Sequence, residues 1–130
     1  MNETDPYNDT VRAFFVNPDH AGDLQGDYAE VLQGEASESD LGARVVLFAG
    51  IVDGSIAEMR FRAWGCPHLI AAAELLCEKR EKGPVSGLLT MDTGMLMQQL
   101  SVPVEKSGRM FLLEDALKLL WAQHSAAKQT

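Results

Sequence analysis

Cys66, Pro67 and His68 stand inside RAWGCPHLIAAAELL, residues 62–76, where a strand-like pattern runs into a helical one. A thiol at a helix start ionises more readily than a free one, because the first N–H groups lack intrahelical partners and carry partial positive charge. The thiolate is both the nucleophile and the metal ligand. Pro67 has no N–H to contribute, so part of that effect is lost. Free cysteines also serve as small buried hydrophobes, and position alone leaves both readings of Cys66 open. His68 completes a Cys-x-His pair that could chelate, yet structural zinc takes four protein ligands, usually as two spaced pairs. Taken alone, His68 is expected on the surface. Cys77, the other cysteine of the chain, lies eleven residues on, about 16 Å along the same helix, and is expected in the core. His20 and His124 fall in separate segments, the first in a loop and the second toward the frayed end of the last helix. The chain has no G-x-S-x-G elbow, phosphate loop or dinucleotide fingerprint, so no enzyme class is expected from its motifs.

The elements that must hold this junction are legible in outline. The 130 residues suit a single domain, 1–130, with 46% hydrophobic residues for a core. Residues 6–15 are expected as a helix, capped by Asp5, begun by Pro6 and stopped at Asn17-Pro18. A modest strand near residues 28–32 follows, and GEASESD, residues 34–40, reads as a loop. RVVLFAGIVDGSIAEMRFRAW reads as a hairpin turning at Asp53-Gly54, with a bulge or uneven burial where its alternation falters. After Cys66 comes a helix with Leu69, Ala72, Ala73, Leu76 and Cys77 at helical spacing, ended by Gly83-Pro84. Two more helices are expected, over residues 92–100 and 113–126. The fold class is α+β: a small three-stranded antiparallel sheet with helices packed on one face.

Composition limits the partners. A net charge of −8, with 11 basic residues scattered among 19 acidic ones, argues against nucleic acid, which wants a Lys/Arg stripe. No apolar run approaches the roughly 18 residues of a membrane span. MNETDPYNDT has neither a basic n-region nor an apolar h-region, so a cytoplasmic setting is expected.

Over nearly its whole length the chain resembles the IscU and NifU N-terminal family of iron–sulfur cluster assembly scaffolds. FFVNPDHAGDL is similar to the family's "xxxNPxNxG" segment through Asn17, Pro18 and Gly22. GEASESD falls where the family has G-x-P-x-C-G-D. MRFRAWGCPHLIAAAELL is similar to "ARFKxxGCxxxIAxxS", keeping Phe61, Gly65, Cys66, Ile70 and Ala71, and SGRMFLLEDALKLL resembles "HCSxLAxxALxxAI". Val102-Pro103-Val104-Glu105-Lys106 stands in part for the family's chaperone-recognition run L-P-P-V-K. The resemblance implies a site where three loops meet and hold a nascent cluster or a zinc ion with three cysteines, an Asp and a His. In this chain the first cysteine falls on Glu38, the Asp is kept as Asp40, the second cysteine is Cys66, and the His-Cys pair falls on Gly108 and Arg109.

A metal set of Cys66, Asp40, Glu38 and His68 would offer one sulfur with harder oxygen and nitrogen donors, able to hold zinc or ferrous iron loosely. An ion pair of Arg109 with Glu38 or Asp40 is the expected replacement for the metal. The resemblance implies three roles that stay open at this point. One is a scaffold-like assembly protein acting through Cys66, with a cysteine desulfurase or other assembly proteins as partners and a homodimer able to share one cluster. Another is a sulfur acceptor like the SufE proteins, carrying a persulfide on Cys66. The last is an interaction or regulatory protein on the same fold, with no cofactor at all.

Overall fold

A computed structural model describes residues 7–128. Helix α1 (Asp9–Val16) is followed by strands β1 (Glu30–Glu38), β2 (Ala43–Val52) and β3 (Ser55–Trp64), then helices α2 (Pro67–Arg80), α3 (Thr93–Gln99) and α4 (Ser107–Lys128). Short 3-10 turns at Ser39–Leu41, Val85–Leu88 and Val104–Lys106 lie before β2, α3 and α4. The strands form one antiparallel sheet in the order β1-β2-β3, as the α+β reading expects.

The hairpin follows from its sequence. Asp53 and Gly54 both have positive φ, 49° and 75°, which is the geometry of the two-residue turn that Asp-Gly favours. The uneven alternation shows as a register shift at Gly50/Ile51. Along the sheet's inner face the cross-strand sets Leu32–Ala49–Met59 and Gly34–Leu47–Phe61 stack in register, and nearly all of these side chains are buried. Helix α4 lies on this face with Met110, Leu113, Leu117 and Leu120 buried, a helical-period stripe. It comes close at Gly34, where a Cβ would sit 2.5 Å from the Ala116 carbonyl oxygen. A glycine is required there by proximity, not by dihedral angle.

Several expectations are corrected. GEASESD is not a loop: β1 runs through it to Glu38, pairing Glu35 with Val46 and Ser37 with Arg44. Strong strand formers in β2 impose the ladder, and the polar side chains of this edge strand face water. Helix α1 begins at Asp9 with Asn8 as its N-cap, the Asn8 side chain accepting the Val11 N–H at 2.8 Å; Asp5 and Pro6 lie outside the described residues. Helix α4 starts six residues before the expected Leu113, because Ser107 and Gly108 follow directly on the 3-10 turn. His124 is no frayed residue. It is buried, and its Nδ1 meets Glu30 Oε2 at 2.8 Å.

His20 and its neighbours cover the free edge of β3, which would otherwise invite another strand. Phe61 N–H donates to the His20 carbonyl, Gly22 N–H to the Phe61 carbonyl, Ile56 N–H to the Gly83 carbonyl and Met59 N–H to the Glu81 carboxylate. The His20 ring lies between Glu74 (2.5 Å) and Glu81 (3.2 Å). Burial alone would lower its pKa, but the two carboxylates outweigh it and raise it. Arg60 bridges Glu58 and Glu81. The almost fully buried Glu58 accepts from the Gln25 and Gly26 amides and the Tyr28 hydroxyl, pinning the segment between α1 and β1 to the sheet.

Candidate functional site

Three chain segments meet at the strand–helix junction. Gly65 takes φ 147°, a conformation that side chains rarely adopt, and so turns β3 into α2 beside Ala43 and Leu69. Cys66 then becomes the N-cap of α2, half-buried, with Pro67 behind it. From α4, Gly108 faces Leu41 of the 3-10 turn so closely that a Cβ there would lie 3.3 Å from the Leu41 side chain. Lys106 reaches back from the start of α4 to His68, Nζ to Nδ1 3.4 Å. The junction, the turn after β1 and the start of α4 are therefore neighbours.

The Cys66 thiol makes no capping hydrogen bond. The Cys66 carbonyl closes the first turn instead, accepting from Leu69 N–H (3.0 Å) and Ile70 N–H (3.3 Å), and Pro67 has no N–H to offer. Cys77 is wholly enclosed, and burial, with Glu74 and Glu81 nearby, pushes its thiol far above the ordinary range. Cys77 belongs to the core, as its spacing implies. Cys66 is the accessible thiol.

Two expectations about the site fail. His68 is not a surface residue: it is fully buried, its ring packed on Tyr7 at 4.8 Å between centroids. The second helical position of α2 points inward here because Tyr7 and Lys106, distant in sequence, close over it. Burial lowers the His68 pKa, and the positive charges of Lys106 and Arg109 lower it further. Both effects favour the neutral imidazole. Nor does Arg109 pair with Glu38 or Asp40, since no ion pair of Arg109 occurs among the described residues. Glu38 turns to its own loop, its carboxylate accepting the Asp40 N–H at 3.1 Å, and both residues are exposed. The Arg109 Nε lies buried without a hydrogen-bond partner among the described residues.

Among the described residues, no three His, Cys, Asp or Glu side chains converge closely enough to hold a metal ion. The expected set of Cys66, Asp40, Glu38 and His68 is brought to one end of the molecule but not into one coordination sphere. Lys106, overlooked with Arg109 from the sequence, faces the imidazole instead, and the Arg109 charge acts on the same ring. Their spacing of three residues was the available signal, because Lys106 ends the 3-10 turn and Arg109 falls in the first turn of α4. No helix among the described residues is long and apolar enough to cross a membrane.

Comparison with known proteins agrees with this geometry. The family model described as "NifU-like N terminal domain" matches residues 6–129. The chain is 32% identical over 98 residues to the "Bifunctional protein NifU/MnmA" of Rubrobacter xylanophilus, covering 75% of this chain and 20% of that protein. It is 29% identical over 115 residues to "Iron-sulfur cluster assembly protein 3" of Arabidopsis thaliana, covering 86% of this chain and 66% of that one. The chain thus spans a fifth of the first relative and just under two thirds of the second. Its fold is similar to the crystal structure of a NifU-like N-terminal protein from Brucella abortus, with a TM-score of 0.69, 14% identity and coverage of 92% and 94% of the two chains. It is likewise similar to a putative scaffold protein for the SUF system from Fervidobacterium islandicum AW-1, with a TM-score of 0.67, 13% identity and coverage of 92% and 98%. With the family model matching almost end to end, the chain belongs to the NifU-like N-terminal domain family of iron–sulfur cluster assembly scaffolds.

Proposed function

We propose that this protein works in iron–sulfur cluster assembly through one thiolate per chain, that of Cys66, with the cluster or its sulfur as cargo. The observation that carries this reading is the contrast between the two thiols. Cys66 is half-buried at the mouth of the junction with no capping bond, while Cys77 is sealed in the core. Iron–sulfur clusters are held chiefly by thiolates, and a single thiol with an enclosed imidazole does not fit a cluster on one chain. A second copy of the chain or another assembly protein would supply the remaining ligands. Glu38 and Asp40 are exposed at the rim and free to add oxygen ligands to such a shared site, whereas His68 is too enclosed to join them. A cysteine desulfurase is the matching sulfur donor, and a cytoplasmic setting suits the accessible free thiol.

The test is anaerobic incubation with a cysteine desulfurase, cysteine and ferrous iron, followed by visible absorption and native mass. Charge-transfer bands on a species of two chains, absent from Cys66→Ala, are expected. A second reading, sulfur relay, is favoured by the same isolated thiol, since one accessible cysteine suffices to accept a sulfane sulfur. It predicts a colourless protein about 32 Da heavier at Cys66, the mass of one sulfur atom. Absence of both signals would refute the proposal.

A further inference from the structure

The groups around His68 form an array of donors without an acceptor. Lys106 Nζ can only donate, so the His68 Nδ1 that it faces at 3.4 Å must accept. This assigns the proton to Nε2, and that N–H is buried with no hydrogen-bond partner among the described residues. The Nε–H of Arg109 is likewise buried without a partner among the described residues. Lys106 Nζ faces the ring directly, and Arg109 follows it by three residues in the first turn of α4, near enough for its charge to lower the imidazole pKa. Tyr7 forms its apolar wall, with the imidazole against the ring and the Lys106 ammonium over it at 5.3 Å. No carboxylate pairs with Lys106 or Arg109 among the described residues, although the chain carries a net charge of −8. Buried polar groups in folded proteins are nearly always satisfied. An unmet donor on the neutral His68 and another on the Arg109 guanidinium, with the Lys106 ammonium beside the ring, call for a ligand that brings lone pairs and negative charge.

We infer that His68, Lys106 and Arg109 form a binding site for a compact inorganic anion at the junction beside Cys66. The array recognises negative charge and lone pairs, chemistry that an oxyanion such as phosphate and a hydrosulfide ion share. The inference does not rest on the role assigned to Cys66, and its test is also read in Cys66→Ser.

The experiment follows the ring nitrogens of His68 by NMR while inorganic phosphate is added, with sodium chloride at matched ionic strength as the reference. A saturable shift at His68 that chloride does not reproduce is expected. Arg109→Gln should weaken it at least tenfold, while Lys118→Gln, on the exposed face of α4, should leave it unchanged. Thermal unfolding of each variant in chloride alone shows that it is folded. Dissolved sulfide, added anaerobically, separates the two ligands. Displacement of phosphate, or saturable binding of sulfide alone, extends the site to hydrosulfide, and binding of phosphate without displacement assigns it to oxyanions. A response that merely tracks ionic strength, or one that is undiminished in Arg109→Gln, overturns the inference.

Discussion

Replacing Gly34 by alanine tests the packing that brings α4 to the junction. The added Cβ would lie 2.5 Å from the Ala116 carbonyl oxygen and 3.0 Å from the Leu119 Cβ. A relaxed carbon–oxygen contact is about 3.3 Å or longer, so β1 and α4 must part by about 0.8 Å. The obstructing oxygen is backbone and cannot swing aside as a side chain would. Overpacking of this kind costs about 1–3 kcal/mol, while alanine recovers about 0.5–1 kcal/mol of the entropic penalty of a glycine within a strand. The two ranges leave a net loss between about 0 and 2.5 kcal/mol, and because the obstructing atom is backbone the upper part, about 1–2 kcal/mol, is expected. At about 2.1 cal/mol/K of unfolding entropy per residue, the 130-residue chain should melt about 4–7 °C lower. Urea unfolding followed by circular dichroism reads the free energy, and a thermal scan reads the Tm. Stability equal to or above that of the parent would refute the claim that Gly34 is needed for close approach.

Other outcomes follow from the same contacts. An alkylating reagent should modify Cys66 in the native protein and reach Cys77 only on unfolding, as peptide mass mapping will show. Glu58→Ala should cost about 2–3 kcal/mol in urea unfolding, since two amides and the Tyr28 hydroxyl lose their acceptor, and proteolysis between α1 and β1 should accelerate. By NMR, His20 should titrate above 6.5 and His68 below it. The raised pKa of His20 gives stability that is full below its unfolded value of 6.5 and fades as pH rises through its folded value. The lowered pKa of His68 works in the opposite sense, giving stability that is present above 6.5 and lost as pH falls toward its folded value. His20→Gln and His68→Gln should therefore change the pH dependence of urea unfolding in opposite directions.

The sequence disclosed what local chemistry alone decides. Alternation plus Asp53-Gly54 is enough to write the hairpin, and Gly65 followed by Cys66 and Pro67 is enough to place the thiol at a helix start. The family resemblance supplied what local chemistry could not, namely that three distant segments meet there. The first residues of β1 were expected as a strand, but its run through residues 34–38 was hidden, because those residues are mostly polar and their pairing is dictated by β2. The burial of His68 was hidden for a similar reason. Its cover comes from Tyr7 and Lys106, 61 residues before it and 38 after it in the chain. Arg109 was expected to meet a carboxylate because opposite charges fell in neighbouring loops, but Glu38 and Asp40 stay exposed, with one Glu38 oxygen accepting the Asp40 amide.

The central claim is that Cys66 is the atom through which this chain meets sulfur. The most direct measurement supplies a cysteine desulfurase with sulfur-labelled cysteine and ferrous iron under anaerobic conditions, then separates the proteins by native gel filtration. Label should travel with the parent chain and with Cys77→Ala, and disappear from Cys66→Ser. Label that is retained in Cys66→Ser, or that never leaves the desulfurase for any of the three proteins, would contradict the account.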